Sequence, residues 1–275
     1  MTWLQLSDRI AVVTGGASGI GRAAALALAD AGATVVVADV NVTGAEAVAG
    51  GLRHADACRL DVTDETSWEA MRARVEARFG GADVVVNCAG VGSAGPIETL
   101  TVADWQRVIG VNLTGTFLGC RTAFALMQGR RSEAAIVNIA SLAAVLGGED
   151  IPAYNAAKGG VLALTRSVAL RGAGRTPPIR CNVVLPGFVD TPMLDRLGDA
   201  IGSRAALLAE LAKRTPLRRL VAPEDVADVV VFLASPRARM ISGAAVPIDG
   251  GILAYGEPPT VVAAELAQHR AERAS

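Results

Sequence analysis

Tyr154 and Lys158 stand four positions apart in the stretch IPAYNAAKGG. On a helix, residues i and i+4 project from one face. A phenol and an ammonium would then meet over one turn. Their neighbours are Ala, Asn and Gly, which leave that face open to a ligand. A free phenol has a pKa of about 10 and is a poor base near neutrality. A cation about 4 Å away, at an effective dielectric of about 20, favours the phenolate by about 4 kcal/mol. That lowers the phenol by roughly three pKa units, before screening and desolvation reduce the effect. Such a tyrosine can exchange a proton with an alcohol. Two more polar residues stand in apolar surroundings. Ser141 ends the run AAIVNIAS, and Asn112 lies within VIGVNLTGTF, where a buried amide needs partners. The competing reading of the Tyr/Lys pair is an ordinary surface pair.

A second constellation is TGGASGIGRAA, residues 14–24, with Gly15, Gly19 and Gly21 in a G-x-x-x-G-x-G pattern. Glycines permit a tight turn and let backbone approach a pyrophosphate, and the helix that follows offers free N–H groups and a positive dipole end. A glycine cluster alone can be only a turn; its place between a strand and a helix is what the motif requires. Asp39 ends the next apolar run, twenty residues past Gly19. An acid there accepts hydrogen bonds from ribose hydroxyls and repels a 2′-phosphate. No Lys or Arg directly follows it in ADVNVTG, which favours NAD over NADP. The competing reading of Asp39 is a helix cap.

These residues need elements to hold them. Apolar runs predict strands at 10–15, 34–39, near 58–61, and at 82–87, 134–141, 179–187 and 244–249. Helical patterns fill 20–31, 64–79, 101–128, 153–171 and 223–235. Continuous apolar strands separated by helices imply an α/β fold, a parallel sheet covered on both faces. No repeat or linker divides the chain, so residues 1–251 are expected to form one domain. Residues 193–215, between Pro192 and Pro216, are expected to be a helical flap, and 252–275 an extended C-terminal arm.

Composition narrows the function classes. The 275 residues are 51% hydrophobic and 19% charged, with a net charge of −1. That balance gives no reason to expect nucleic acid or an acidic membrane as partner. No apolar run reaches the roughly 18 residues of a membrane helix. Cys58, Cys88, Cys120 and Cys181 form no CxxC pair, and His54 and His269 are far apart, so neither a metal site nor a disulfide framework is expected. Scattered thiols and the lack of a signal-peptide pattern point to the cytoplasm.

TGGASGIG, NCAG (87–90), Asn112, Ser141, YNAAK and PGFVDTP (186–192) together resemble the short-chain dehydrogenase/reductase family in order and spacing, from about residue 6 to Gly251. The resemblance implies a Rossmann-type doubly wound domain of about seven parallel strands. It implies Tyr154 as general acid/base, Ser141 on the substrate oxygen, Lys158 on the nicotinamide ribose, and Asn112 holding a water in a proton relay. It places Gly15, Ser18, Gly19, Ile20 and Gly21 at the pyrophosphate and Asp39 at the adenosine ribose. Asp61 and Val62 would lie at the adenine, and Asn87, Ala89 and Gly90 beside the cofactor. Pro186, Gly187, Val189 and Thr191 would approach the nicotinamide. A homotetramer is also implied, with one interface through the helices near 101–128 and 153–171 and another through 223–251. Two departures are Cys88, where the family often has a second Asn, and the arm after Gly251.

The substrate is the least constrained part. LAAVLGG after Ser141 is apolar, and Leu142, Gly187, Phe188 and Met193 are expected to line the substrate site with Ser141 and Tyr154. No Arg or Lys is evident there to hold an anion. An uncharged, fairly hydrophobic secondary alcohol or ketone follows, alicyclic or steroid-like, as in similar bacterial hydroxysteroid and alicyclic-alcohol enzymes. The alternatives are an NADPH-dependent carbonyl or 3-oxoacyl-carrier reductase and, in another class, a non-catalytic NAD-binding sensor.

Overall fold

The computed structural model describes residues 5–92, 94–130, 132–195 and 203–255. Its strands are β1 (Ile10–Thr14), β2 (Thr34–Asp39), β3 (Ala55–Arg59), β4 (Val84–Asn87), β5 (Ala134–Ile139), β6 (Ile179–Pro186) and β7 (Ala245–Ile248). They form one sheet in the order β3-β2-β1-β4-β5-β6-β7, with every pair parallel. Both faces are buried, so apolar residues need not alternate with polar ones. Ala11 and Val13 of β1 and Val84 and Val86 of β4 join one core, while Val12 and Val85 join the other.

Helices α1 (Gly19–Asp30) and α8 (Pro223–Ala234) cover the first face. The second is covered by α3 (Glu65–Phe79), which buries Trp68, Met71 and Val75, and by α5 (Gly115–Leu126). The Trp68 indole donates to Val62 O at 3.0 Å, so its one polar atom is satisfied in the core.

Three elements differ from the expectation. The helix expected over 101–128 is α4 (Val102–Ile109), a π-helical turn at Gly110–Thr114, and α5. Asn112 Nδ2 donates to Val108 O at 3.0 Å, the carbonyl its own N–H would take in an α-helix. The ladder slips there, and Gly115 N–H reaches back to Gly110 O. The third strand, expected to end near 58–61, runs Ala55–Arg59, so Asp61 lies just beyond it. A helix missed in the sequence, α2 (Val42–Gly50), carries two glycines and two valines, which weaken helix propensity. It is held by its N-cap, where Asn41 Oδ1 accepts from Gly44 N at 3.1 Å.

The long α6 (Pro152–Ala173) carries Tyr154 and Lys158. Within 193–215, α7 (Arg204–Arg214) is helical, as expected of the flap, whereas 196–202 lie outside the described residues. Of the expected arm, Ile252–Tyr255 form a short helix and 256–275 lie outside the described residues. The chain leaves the β3 edge and re-enters beside β1 as β4. The direction of winding reverses there, and the crevice outside the C-terminal ends of β1 and β4 is where ligands bind in such sheets.

Candidate active site

The glycine loop closes the end of β1. Gly15 has φ +67°, and a Cβ there would stand 2.8 Å from Ala89 Cα. Only glycine lets the β1 and β4 turns approach this closely. Thr14 Oγ1 ties them together, accepting from Cys88 N at 3.0 Å and Ala89 N at 3.1 Å. A Cβ on Gly21 would overlap the Gly15 carbonyl oxygen. Gly21→Ala is therefore expected to destabilise the protein by about 1–3 kcal/mol through overpacking. Thermal melts check this; an unchanged Tm would contradict it.

Ser18 precedes α1, its side chain makes no capping bond, and no acid stands in the first turn. The first N–H groups of α1 thus keep their capacity for an anion. Asp39 stands beside the loop. Its Oδ2 accepts from Ala17 N at 3.0 Å and its Oδ1 from Asn41 N at 2.9 Å. The carboxylate holds the loop in place, and each oxygen keeps lone-pair capacity for a hydroxyl. The helix-cap reading of Asp39 does not hold, because Asn41 caps α2.

Across the crevice, Tyr154, Lys158 and Ser141 come together. Lys158 is 4% exposed, its Nζ lies 5.5 Å from the Tyr154 ring centroid, and it donates to Ile139 O at 3.0 Å. Ser141 opens the 3-10 turn Leu142–Ala144, and its Oγ accepts from Ala143 N at 3.2 Å. Tyr154 is half-buried. Burial pushes its pKa up to about 12, against the Ser141 hydrogen bond, which pulls it down. This corrects the expectation of a lowered phenol. The ammonium itself is desolvated, which lowers Lys158 to about 8, and the cost of a buried phenolate outweighs the neighbouring cation.

Asn112 is fully buried in the π turn. Its amide holds the strand β4 exit, donating to Val91 O at 2.9 Å and accepting from Val91 N at 3.3 Å. Its own carbonyl accepts from Thr116 Oγ1 at 2.8 Å. Asn112 and Lys158 both border Gly90: a Cβ there would lie 2.8 Å from Asn112 Oδ1 and 3.6 Å from Lys158 Nζ. Asn87 is turned inward. Its Nδ2 donates to Asn138 Oδ1 at 2.8 Å, and Asn138 in turn donates to Thr165 Oγ1 of α6 at 2.9 Å. Asn87 can meet a ligand only through backbone, and its amide chain anchors α6 to the sheet.

The remaining expected residues divide. Thr191 faces the glycine loop, its Cγ2 3.2 Å from a Cβ on Gly19. Pro186 ends β6, and Gly187 N donates to Ile248 O at 2.9 Å. Phe188 packs with Leu207 and Leu211 of α7, and exposed Met193 stands across the opening from Gly92. Asp61 lies past β3, where bonds from the Thr63 hydroxyl and N–H hold its carboxyl below the usual range. Val62, Val189 and Leu142 have buried side chains, and Ile20 packs against the core. Leu142 sits with Val161, Val183 and Leu185, and Phe188 packs against the same cluster. β-Branched or aliphatic residues beside a motif are as often core, and nothing in their spacing separates the two.

Two residues near the site had been given no role in it. Thr14 could have been found as the hydroxyl that opens the glycine loop. Cys88 has its thiol within electrostatic reach of Lys158 and Tyr154, and burial pushes it up to about 12, so it is neutral at pH 7. Among the described residues there is no group of three or more His, Cys, Asp or Glu able to hold a metal, and no helix long and apolar enough to cross a membrane.

Comparison with known proteins identifies the family. A family model described as "Enoyl-(Acyl carrier protein) reductase" matches residues 15–253. The cis-4-hydroxycyclohexanecarboxylate dehydrogenase of Sinomonas cyclohexanicum is 44% identical over 253 residues, covering 90% of this chain and 98% of that one. The NADP-dependent (R)-specific alcohol dehydrogenase of Lentilactobacillus kefiri is 33% identical, covering 91% and 98%. The crystal structure of Thermoplasma acidophilum aldohexose dehydrogenase superposes with a TM-score of 0.83 at 31% identity, over 92% of this chain and 96% of that one. The chain belongs to the short-chain dehydrogenase/reductase family, oxidoreductases that act on CH–OH groups with a nicotinamide cofactor.

Proposed function

We propose that the protein is an NAD-dependent dehydrogenase of uncharged, hydrophobic secondary alcohols and the matching ketones, alicyclic or steroid-like. The observation that carries this reading is the meeting of a phenol, a serine hydroxyl and a buried ammonium at the sheet's switch point, opposite a glycine loop held by a carboxylate.

The residues present fit a dinucleotide. Gly15–Gly21 and the uncapped end of α1 would hold the pyrophosphate. Asp39 would take the adenosine ribose and Asp61 with Val62 the adenine. Lys158 and Tyr154 would take the second ribose, and Thr191 the carboxamide. A bound nicotinamide supplies the hydride acceptor for oxidation and the donor for reduction.

The chain itself moves the proton. Ser141 keeps its hydroxyl hydrogen after accepting from Ala143 N, and donates it to the substrate oxygen. Tyr154 gives its phenolic proton to that oxygen in reduction and takes it back in oxidation. Lys158 stabilises the phenolate formed in reduction, and Asn112 would hold the water that continues the relay.

The pKa directions set the pH dependence. The phenol stays protonated up to about 12, so the acid needed for reduction is present at pH 7. The Lys158 cation is lost above about pH 8. Reduction of cyclohexanone is therefore expected to be level from about pH 6 to 7.5 and to fall above about 8, while cyclohexanol oxidation rises with pH. A reduction rate still level well above pH 9 would remove Lys158 from this role.

One observation favours NADP instead. Arg59 stands opposite Asp39 in the β2–β3 register, and its charge is felt by Asp61. Asp39 is nearer the loop and would repel a 2′-phosphate, so NAD remains the reading. Exposed Val102, Trp105, Phe117 and Leu170 on α4, α5 and α6 support a homotetramer through these helices. Light scattering of the purified protein tests that assembly.

A further inference from the structure

Asn155 follows Tyr154 on α6 and has no part in the reading above. One residue on, a helix has turned by about 100°, so Asn155 faces away from the phenol. It is half-buried, and its side chain bonds only to the backbone of the segment after Ser141. Its Nδ2 donates to Ala143 O and to Leu146 O, both at 2.7 Å. Its Oδ1 accepts from Gly148 N at 3.1 Å. Both amide donors are used.

Ala143 is the link to the chemistry. Its N–H donates to Ser141 Oγ at 3.2 Å while its carbonyl takes the bond from Asn155. Around Ser141 the other backbone ties are short returns, Ala144 N to Ser141 O and Val145 N and Leu146 N both to Leu142 O; farther along, Asp150 O accepts from Gly95 N at 2.8 Å. Such returns shape a turn but do not fasten it to the helix. Tyr154 and Asn155 thus grip one loop from adjacent positions of one helix, the first through the Ser141 hydroxyl and the second through the peptide that orients it.

We propose that Asn155 is a positioning residue: through Ala143 it holds the Ser141 hydroxyl toward the Tyr154 phenol, and through Leu146 and Gly148 it fixes the adjoining wall of the substrate crevice. The inference rests on the proton-transfer roles given above to Ser141 and Tyr154.

The test is cyclohexanone reduction with NADH by the full chain, comparing Asn155→Ala, Asn155→Asp, Ser141→Ala and Ser141→Ala/Asn155→Ala. NADH affinity is followed by its fluorescence. Asn155→Asp keeps the volume and the Gly148 bond but removes both donors. Asn155→Ala and Asn155→Asp are each expected to lower kcat by about 10- to 30-fold, since small misplacements of catalytic groups have effects of this order. NADH affinity should stay within about twofold, because the cofactor residues are untouched. The double variant should be no slower than Ser141→Ala, within about twofold, because Asn155 acts through the serine. If Ser141→Ala collapses turnover while either Asn155 variant keeps wild-type kcat, this inference fails and the catalytic reading stands. Losses that multiply in the double variant would show that Asn155 acts apart from Ser141, which also overturns it. A Ser141→Ala enzyme with full activity would remove the catalytic reading and the inference together.

Discussion

Tyr154→Phe is expected to lower kcat by about 10³-fold in both directions, within the 10²–10⁴ range of a positioned acid/base. The substitution deletes one oxygen and keeps the ring over which Lys158 lies. NAD affinity should change little, because the loop, Asp39 and Lys158 remain. The Ser141 hydroxyl loses its partner but still accepts from Ala143 N, so the loop should not collapse. A loss confined to KM would mean that the phenol only binds substrate. The chain has two tyrosines, Tyr154 and Tyr255. In a Tyr255→Phe background, ultraviolet titration reads Tyr154 alone, and its midpoint without cofactor should lie near 12. A midpoint near 7 would show that the ammonium, and not burial, sets the phenol.

Asp39→Ala is expected to move the NAD/NADP preference by about 10²-fold toward NADP. A carboxylate about 4 Å from a unit of phosphate charge is worth about 4 kcal/mol at an effective dielectric of 20. Salt and partial exposure cut that by roughly a third to a half, which leaves about one and a half to two decades. The variant also loses the acceptor for Ala17 N and Asn41 N, so NAD itself should bind less well. If Arg59 then holds the 2′-phosphate, Asp39→Ala/Arg59→Ala gives back part of the gain. Kinetics with each cofactor at saturating cyclohexanol decide it, and an unchanged preference in Asp39→Ala would remove the ribose role.

Much of the architecture was legible because it rests on local pattern. Val35–Val37 and Val84–Val86 are apolar at every position, which suits strands buried on both faces. Gly15 and Asp39 could be paired in advance because each ends a strand, and parallel neighbours bring such ends together. What was not legible depends on the third dimension. The π turn at Gly110–Thr114 arises from a side-chain bond, Asn112 to Val108 O, that no propensity records. The direction of the Tyr154 shift was misjudged because i, i+4 spacing reports proximity and not depth. The sequence shows Leu142 as one apolar residue among several after Ser141, whereas its packing with Val161 and Leu185 appears only in the fold. Asn155 was visible as a letter in YNAAK, but its partners lie in a loop 7 to 12 residues away in sequence.

The most direct test is formation of reduced nicotinamide by the purified wild-type protein, followed by its absorbance, with cyclohexanol and a set of larger alicyclic and steroid alcohols, first with NAD and then with NADP. Turnover with NAD that exceeds turnover with NADP, and that increases with pH, is the expected result. Bound NAD without turnover across the whole set, or turnover with NADP alone, would contradict the assignment of an NAD-dependent dehydrogenase of hydrophobic secondary alcohols.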